Sequence, residues 1–445
     1  MTPKWGAETA KAVENFRISG EAVPVGVVRW LGRIKAAAAL TNADLGLLDA
    51  ELAAEIAAAG SAIAAGEHDD QFPVDVFQTG SGTSSNMNAN EVIASLTAGR
   101  AHPNDDVNLG QSSNDVFPSA VQLAALEATC DRLLPALDAL AASLQRRAAE
   151  WSDVVKPGRT HLMDAVPVTL GQEVGGYAEQ VRASAARIEA TLDEVGAVPL
   201  GGTAVGTGLN THPAFAAGTL ERLRGEVGTA VAAHIAEPAD RFAAQGARDG
   251  LVALSGALAG LAVALTKICN DLRWMASGPR AGLGEITVPS LQKGSSIMPG
   301  KTNPVILEAV LQVAAQVIGN DTAVRVGGMQ GNFELNVMVP MIARNVTQSI
   351  EFLTTATRSL AADCIDGISA NEQRCLALAE QSLAIATSLN PAIGYDAATA
   401  IVVEAQHSGR SVREVALDHG VDGDVLDRVL DVRRMATGAD RPTTS

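Results

Sequence analysis

Between residues 170 and 195 the apolar side chains Leu170, Val174, Tyr177, Val181, Ile188, Leu192 and Val195 recur at spacings of three, four and seven, while Glu173, Glu179, Arg182, Arg187 and Asp193 take the other faces. That period predicts one long helix. Thr169 and Gln172 form a capping-box pair at its start, and Gly196 and Pro199 mark its end. Comparable runs follow Pro118, Gly250, Pro304 and Asn336, with no alternating strand pattern of similar strength between them. The pattern predicts an all-α chain whose centre is a bundle of about five long helices. Shorter helices and more loops up to residue 111 predict an N-terminal domain over 1–111, followed by the central bundle over 112–368. Polar breaks multiply beyond that and predict a small helical C-terminal domain over 369–445.

Composition sharpens this picture. Apolar residues make up 47% of the 445, aromatic residues only 3%, which suits helices packed closely through small side chains. The formal net charge of -17 opposes nucleic acid and anionic membrane surfaces as partners. Any anionic ligand therefore needs a local, donor-rich site. The uncharged run from Gly250 to Thr266 is slightly short for a membrane span and has no companion, so it predicts a helix buried on all sides. Cys130, Cys269, Cys364 and Cys375 show neither a CxxC pair nor metal-ligand spacing, so zinc and iron-sulfur sites are not expected, and the thiols read as buried and reduced in a cytoplasmic protein. The first 20 residues, polar and mixed in charge, do not read as a signal peptide.

Four polar loops interrupt the apolar pattern: TGSGTSSNMN at 79–88, GQSSNDVFP at 110–118, GRTHLMDAVP at 158–167 and GSSIMPGKTNP at 294–304. Each combines small hydroxyl or amide donors with a helix start just beyond. In the last, Asn303 and Pro304 read as N-cap and first-turn proline, which would turn free N–H groups and the positive end of the helix dipole toward the loop. Taken singly, such loops are ordinary caps and turns, Lys301 a solvated charge and His161 a loop histidine. Four together, one with His and one with Lys, predict a site for a small dianion.

The string GSSIMPGKTNP resembles the signature loop of the fumarase/aspartase superfamily, and the other loops resemble its remaining regions in the expected order, over essentially the whole chain. HPNDDVN at 102–108, SSNDVFP at 112–118, GRTHL at 158–162 and GGTAVGTGLN at 201–210 resemble the class II fumarases within it. Ser84 and Met163 stand where that family often has Gln, and Leu109 with Gly110 replaces a Lys-Ser pair, departures that bear on substrate positioning.

The resemblance implies reversible hydration of fumarate to L-malate through an aci-carboxylate intermediate, with no metal and no cofactor, in a cytoplasmic homotetramer whose sites draw on three subunits around a shared helical bundle. It makes Ser295 the base, His161 the group that handles water on the opposite face and Glu308 the carboxylate that orients this histidine. Ser81, Gly82, Thr83, Ser112, Ser113, Asn114, Thr160, Ser296, Lys301, Thr302 and Asn303 then bind the two substrate carboxylates. His102, Pro103, Asn104 and Asp105 match a second anion site of the family, while on the residues alone they read equally as a capped surface turn. The glycines of 201–208 lack the lysine of a phosphate loop and predict a flexible segment covering the site. Aspartate ammonia-lyases share the GSSIMP loop but tend to carry Gln in place of His161 and STND in place of SSND. A non-catalytic relative, like the lens proteins of the superfamily, would be expected to lose Ser295, His161, Lys301 and Asn303, all of which remain.

Overall fold

A computed structural model describes residues 3–438. Helices dominate, as the periodicity predicts, and the longest are Val25–Asp44, Leu170–Glu189, Asp249–Met275, Val305–Gly328 and Val339–Ser359. The chain forms two compact units. One takes in the chain up to Leu137, then Ser184–Val263 and Gln312–Thr355; the other takes in Asp138–Ala183, Ala264–Leu311 and the chain from Ala356 onward.

In the first unit the Val25–Asp44 helix buries Val27, Val28, Trp30, Leu31, Ile34 and a run of alanines. It packs on Ala50–Ala64 so closely that a Cβ on Gly32 would lie 2.5 Å from the Gly60 carbonyl oxygen, and one on Gly60 would lie 2.6 Å from that of Gly32. Main chain touches main chain here, which only glycine permits. The N-terminal segment is pinned by Asp75, whose carboxylate accepts hydrogen bonds from the Ser19, Gly20 and Phe77 amides at 2.7–2.8 Å and from the Ser19 hydroxyl at 2.9 Å.

The same unit holds the helix Ser113–Ala128, which starts six residues earlier than the run after Pro118 predicts. Ser112 and Asp115 make a reciprocal capping box, strong enough to set the helix start, and Pro118 is carried inside. The predicted helix over 170–195 is also revised. It stops at Glu189, and a second short helix runs over Leu192–Gly196; between them the Thr191 hydroxyl donates to the Ile188 carbonyl at 2.7 Å. A hydroxyl that bonds main chain in this way competes with the helical ladder.

In the second unit the capping box appears as predicted: Thr169 N–H donates to Gln172 Oε1, and Gln172 N–H to Thr169 Oγ1, both at 3.0 Å. Just ahead of it lies an antiparallel hairpin, Val155–Thr160 with Met163–Thr169, which the sequence pattern does not announce. Only the base of this hairpin is buried, so its residues do not alternate cleanly. The small C-terminal helices, from Glu372–Gln381 to Val432–Thr437, enclose a core of Ile385, Leu389, Ile401, Val415 and Leu426. All four cysteines are free and buried, with burial pushing the thiols up to about 11 or 12.

The Asp249–Met275 helix is the one among the described residues long and apolar enough to cross a membrane, with half of its most apolar window buried within the chain. One copy of the chain does not cover the Gly250–Thr266 run on all sides: within it Val263 is 60% exposed. Apolar patterning shows that a face needs cover, not that one copy of the chain supplies it.

One prediction follows from Asp75. Burial raises its carboxyl, but the Phe77, Gly20 and Ser19 donors outweigh burial and hold it at about 2, against 3.8 for the free side chain. A depressed carboxyl stabilises the fold above the unfolded value, and that contribution fades as pH falls from about 4 toward 2. Asp75→Asn is expected to lower stability clearly at pH 7 and by much less at pH 2, measured by urea unfolding at both.

Candidate active site

The first unit brings two of the predicted loops together. Gly82, at φ +75°, ends the first loop and the helix Thr83–Leu96 follows. A side chain there is excluded, since a Cβ would lie 2.2 Å from the ring of Phe117. This turn places the Thr83 hydroxyl 2.9 Å from the Ser81 hydroxyl and 2.8 Å from that of Ser113. Ser81, Thr83 and Ser113 thus form one chain of hydroxyls, each able to turn a proton toward a ligand. Ser112 accepts from the Asn114 N–H at 3.2 Å, and Asn114 Nδ2 donates to the Ala204 carbonyl at 2.9 Å. Beneath the loop the buried Lys35 donates to Asn108 Oδ1 at 2.7 Å, and that oxygen also accepts from Asn86 and Asn90.

Residues 102–105 form part of a π-helical turn in the same unit. His102 Nδ1 accepts from the Asp105 N–H at 3.1 Å and lies 3.2 Å from its carboxylate, while the His102 N–H donates to Asp106 Oδ2 at 2.7 Å. Pro103 and Asn104 complete the turn, which caps itself and carries its own acidic groups.

In the second unit the hairpin presents Thr160 at the end of its first strand and His161 at its tip, both exposed. His161 at φ +58° and Leu162 at φ +61° are the two turn residues. Two positive φ angles mark a type I′ turn, normally the place of Asn-Gly, and a non-glycine residue there costs about 1 kcal/mol or more. A network missed by sequence reading holds the hairpin. Fully buried Glu285 takes both Arg159 guanidinium nitrogens, at 2.8 and 3.0 Å, while Lys156 lies 3.5 Å from Glu285 and donates to Glu173 at 2.8 Å. Glu285 lies 126 residues beyond Arg159. The only local signal was the pair of basic residues, Lys156 and Arg159, three apart in one short strand.

The 294–304 loop lies in that unit too. Ser295 Oγ accepts from the Ile297 N–H at 3.2 Å and the Met298 N–H at 3.1 Å. The loop closes on itself: Lys301 Nζ donates to Asn303 Oδ1 at 2.6 Å, Asn303 Nδ2 to the Gly294 carbonyl at 3.0 Å and Gly294 N–H to the Lys301 carbonyl at 2.9 Å. Ser295, Ser296, Lys301 and Thr302 line a groove of about 530 Å³. Asn303 is not the predicted side-chain cap, because its amide is engaged by Lys301 and Gly294; the helix begins at Val305, and Glu308 N–H donates to the Pro304 carbonyl. Among the described residues, neither the His161 ring nor the Glu308 carboxylate makes a hydrogen bond or ion pair.

Chemically, the loops offer neutral hydroxyl and amide donors, one ammonium, and a serine oxygen facing two N–H groups. That last arrangement favours negative charge on the oxygen.

Residues 2–319 match the Lyase family, and residues 385–437 match the family of the fumarase C C-terminus. A class II fumarate hydratase of Mycobacterium tuberculosis is 54% identical over 440 residues, 97% of this chain and 92% of the relative. One from Corynebacterium glutamicum is 53% identical over 441 residues, 97% and 93%. The crystal structure of recombinant class II fumarase from Schistosoma mansoni superposes with a TM-score of 0.95 at 35% identity, covering 98% of this chain and 96% of that one.

The Glu285 network yields a prediction. Removing one partner from a buried charge group leaves the others uncompensated, at a cost of about 3 kcal/mol or more. Glu285→Gln is expected to destabilise on that scale in urea unfolding, and Arg159→Lys, which keeps the charge but loses the two-pronged contact, by less.

Proposed function

This chain belongs to the class II fumarate hydratases, and from that premise we propose how its residues carry out the reversible addition of water to fumarate that gives L-malate. In the dehydration direction Ser295 Oγ, as the alkoxide, takes the proton from the carbon beside one carboxylate. The C–H electron pair moves onto that carboxylate, forming the aci-carboxylate dianion. The pair then returns to make the double bond as hydroxide leaves the neighbouring carbon, with a proton delivered through His161, so that water departs. Hydration runs these steps backward.

The observation that carries this reading is the pair of N–H donors, from Ile297 and Met298, on Ser295 Oγ. A serine hydroxyl is too weak an acid to serve as a base unless its alkoxide is stabilised, and two preorganised donors in a closed loop supply that. Lys301 and Asn303, with Ser296 and Thr302, give the donors for the carboxylate that gathers charge. Ser81, Gly82, Thr83, Ser112, Ser113, Asn114 and Thr160 orient the dianion without an arginine clamp, which leaves room for tighter binding in the transition state. Glu308 is read as the partner that orients His161. His102, Pro103, Asn104 and Asp105 are kept as a second anion site only on family likeness, since their own contacts are those of a capped turn.

Assembly belongs to the same proposal. The reading is a cytoplasmic homotetramer with each site built from three subunits. Exposed apolar groups support it, with Phe333 95%, Met329 78% and Val263 60% accessible, since such groups ask for cover. So do His161 and Glu308, which find no partner among the described residues of their own chain. The buried free thiols fit a reducing compartment.

Two experiments test this function. Ser295→Ala is expected to lower turnover of L-malate by at least about two orders of magnitude while helical content is kept; wild type should need no added cofactor, resist chelators and release negligible ammonia from L-aspartate. Near-normal turnover in the variant removes Ser295 from the mechanism, and faster loss of ammonia from aspartate than of water from malate favours the ammonia-lyase alternative. Second, co-refolding inactive Ser295→Ala with inactive His161→Asn should restore part of the activity, because mixed tetramers contain sites free of both lesions. Verified mixed tetramers with no recovery would refute sites shared between subunits.

A further inference from the structure

Asp115 belongs to none of the roles above, yet its side chain joins two segments of the first unit. It is fully buried. Oδ1 accepts from the Ser112 N–H at 2.9 Å, and Oδ2 from the Gly201 N–H at 3.0 Å and the Thr203 N–H at 2.9 Å. Gly201 and Thr203 hold φ of +89° and +56°, the second uncommon for a β-branched residue. Their two amides thereby converge on one oxygen, a concave anion site of main-chain donors that the protein fills with its own carboxylate. The segment then folds back on itself, with Gly206 and Gly208 N–H both donating to the Gly202 carbonyl at 2.9 and 3.1 Å. Asn114 Nδ2 ties the Ala204 carbonyl from the donor side. Residues 201–208 are therefore not simply a flexible cover: their base is fastened to the start of the helix that carries Ser113 and Asn114.

We propose that Asp115 is a positioning residue whose negative charge fastens residues 201–208 to the Ser112, Ser113 and Asn114 donors, so that both segments keep one geometry for substrate. The proposal rests on the reading of those donors as substrate-binding. Hydrogen bonds to an ionised acceptor are about twice as strong as neutral ones. A protonated carboxyl would also point an O–H at a group of N–H donors and give up at least one of the three bonds.

The surroundings make this charge conditional. Among the described residues, the groups facing the carboxylate are main-chain amides from its own helix start and from 201–203, together with the Lys35 ammonium of Val25–Asp44. Burial pushes Asp115 up to about 6 against the pull of the Ser112, Thr203 and Gly201 amides and Lys35, and burial brings Lys35 down to about 7. A buried carboxylate near its titration range thus sits under the donor array.

Steady-state kinetics with L-malate from pH 5 to 9 on the full chain test the proposal. Asp115→Asn is expected to raise KM about tenfold, roughly the loss of one charge-assisted bond, with kcat reduced less than about threefold. In wild type KM should climb as pH falls through about 6, and Asp115→Asn should abolish that rise. Lys35→Met, which removes the compensating cation, should move the rise to higher pH. A measurement on wild type alone guards against a variant that fails to fold: amide hydrogen exchange over residues 200–210, corrected for intrinsic rate, should show protection at pH 8 that is lost below about 6. An unchanged KM in folded Asp115→Asn, a loss confined to kcat, or protection of 200–210 independent of pH would each overturn the proposal. Wild type inert toward malate and fumarate would sink the reading of the site instead, and the exchange experiment would still decide whether the carboxylate holds the segment.

Discussion

Loops rich in donors are hard to keep in one conformation, because every N–H they display must be satisfied by something, and water satisfies it as well as protein does. This chain meets that constraint with buried acceptors placed far away in sequence. Asp75 gathers amides of residues 19, 20 and 77, Asp115 those of 112, 201 and 203, and Glu285 grips the arginine behind the His161 turn. Each acceptor is a carboxylate, the group that takes several strong hydrogen bonds at once and whose loss is costly when buried.

The legible part of the structure is the part written locally. Long helices appear because their apolar period is local, and the capping box at Thr169 and Gln172 could be read from four residues. The 294–304 loop was recognisable from its string, and its internal ties join residues close in sequence. Other features depended on contacts that no local pattern encodes. The Arg159 to Glu285 pair spans 126 residues, so nothing near Arg159 tells that its charge is internal. The hairpin carrying His161 was hidden because its outer half is exposed on both faces and lacks alternation. At Asn303 the cap preference was real, but Lys301 and Gly294 compete for the same amide and win. At Pro118 the stronger signal was the capping box of Ser112 and Asp115 upstream.

Charge tells a related story. With a formal net charge of -17 the chain must bind its dianion against its own field. Lys301 is the lone cation among the residues read as touching substrate, and it is held by Asn303. On the proposed assignment of the site, the rest of the attraction would come from dipoles of hydroxyls and main-chain amides. Dipoles act at short range and only when well oriented, so affinity is bought with rigidity rather than with charge. On the proposed reading, the carboxylates that anchor these segments would serve a function they do not themselves perform.

The crossing of Gly32 and Gly60 limits how this sequence can change. Each glycine gives up about 1 kcal/mol of helix propensity relative to alanine, in a chain otherwise rich in alanine. In the usual case a crowded contact is relieved by shrinking the opposite residue, and a lineage can pass through the pair in two steps. Here the obstacle to each Cβ is the other glycine's carbonyl oxygen, at 2.5 and 2.6 Å, which no replacement can make smaller. The two positions cannot compensate for one another, and any programme that stabilises helices by exchanging glycine for alanine meets a fixed stop at both.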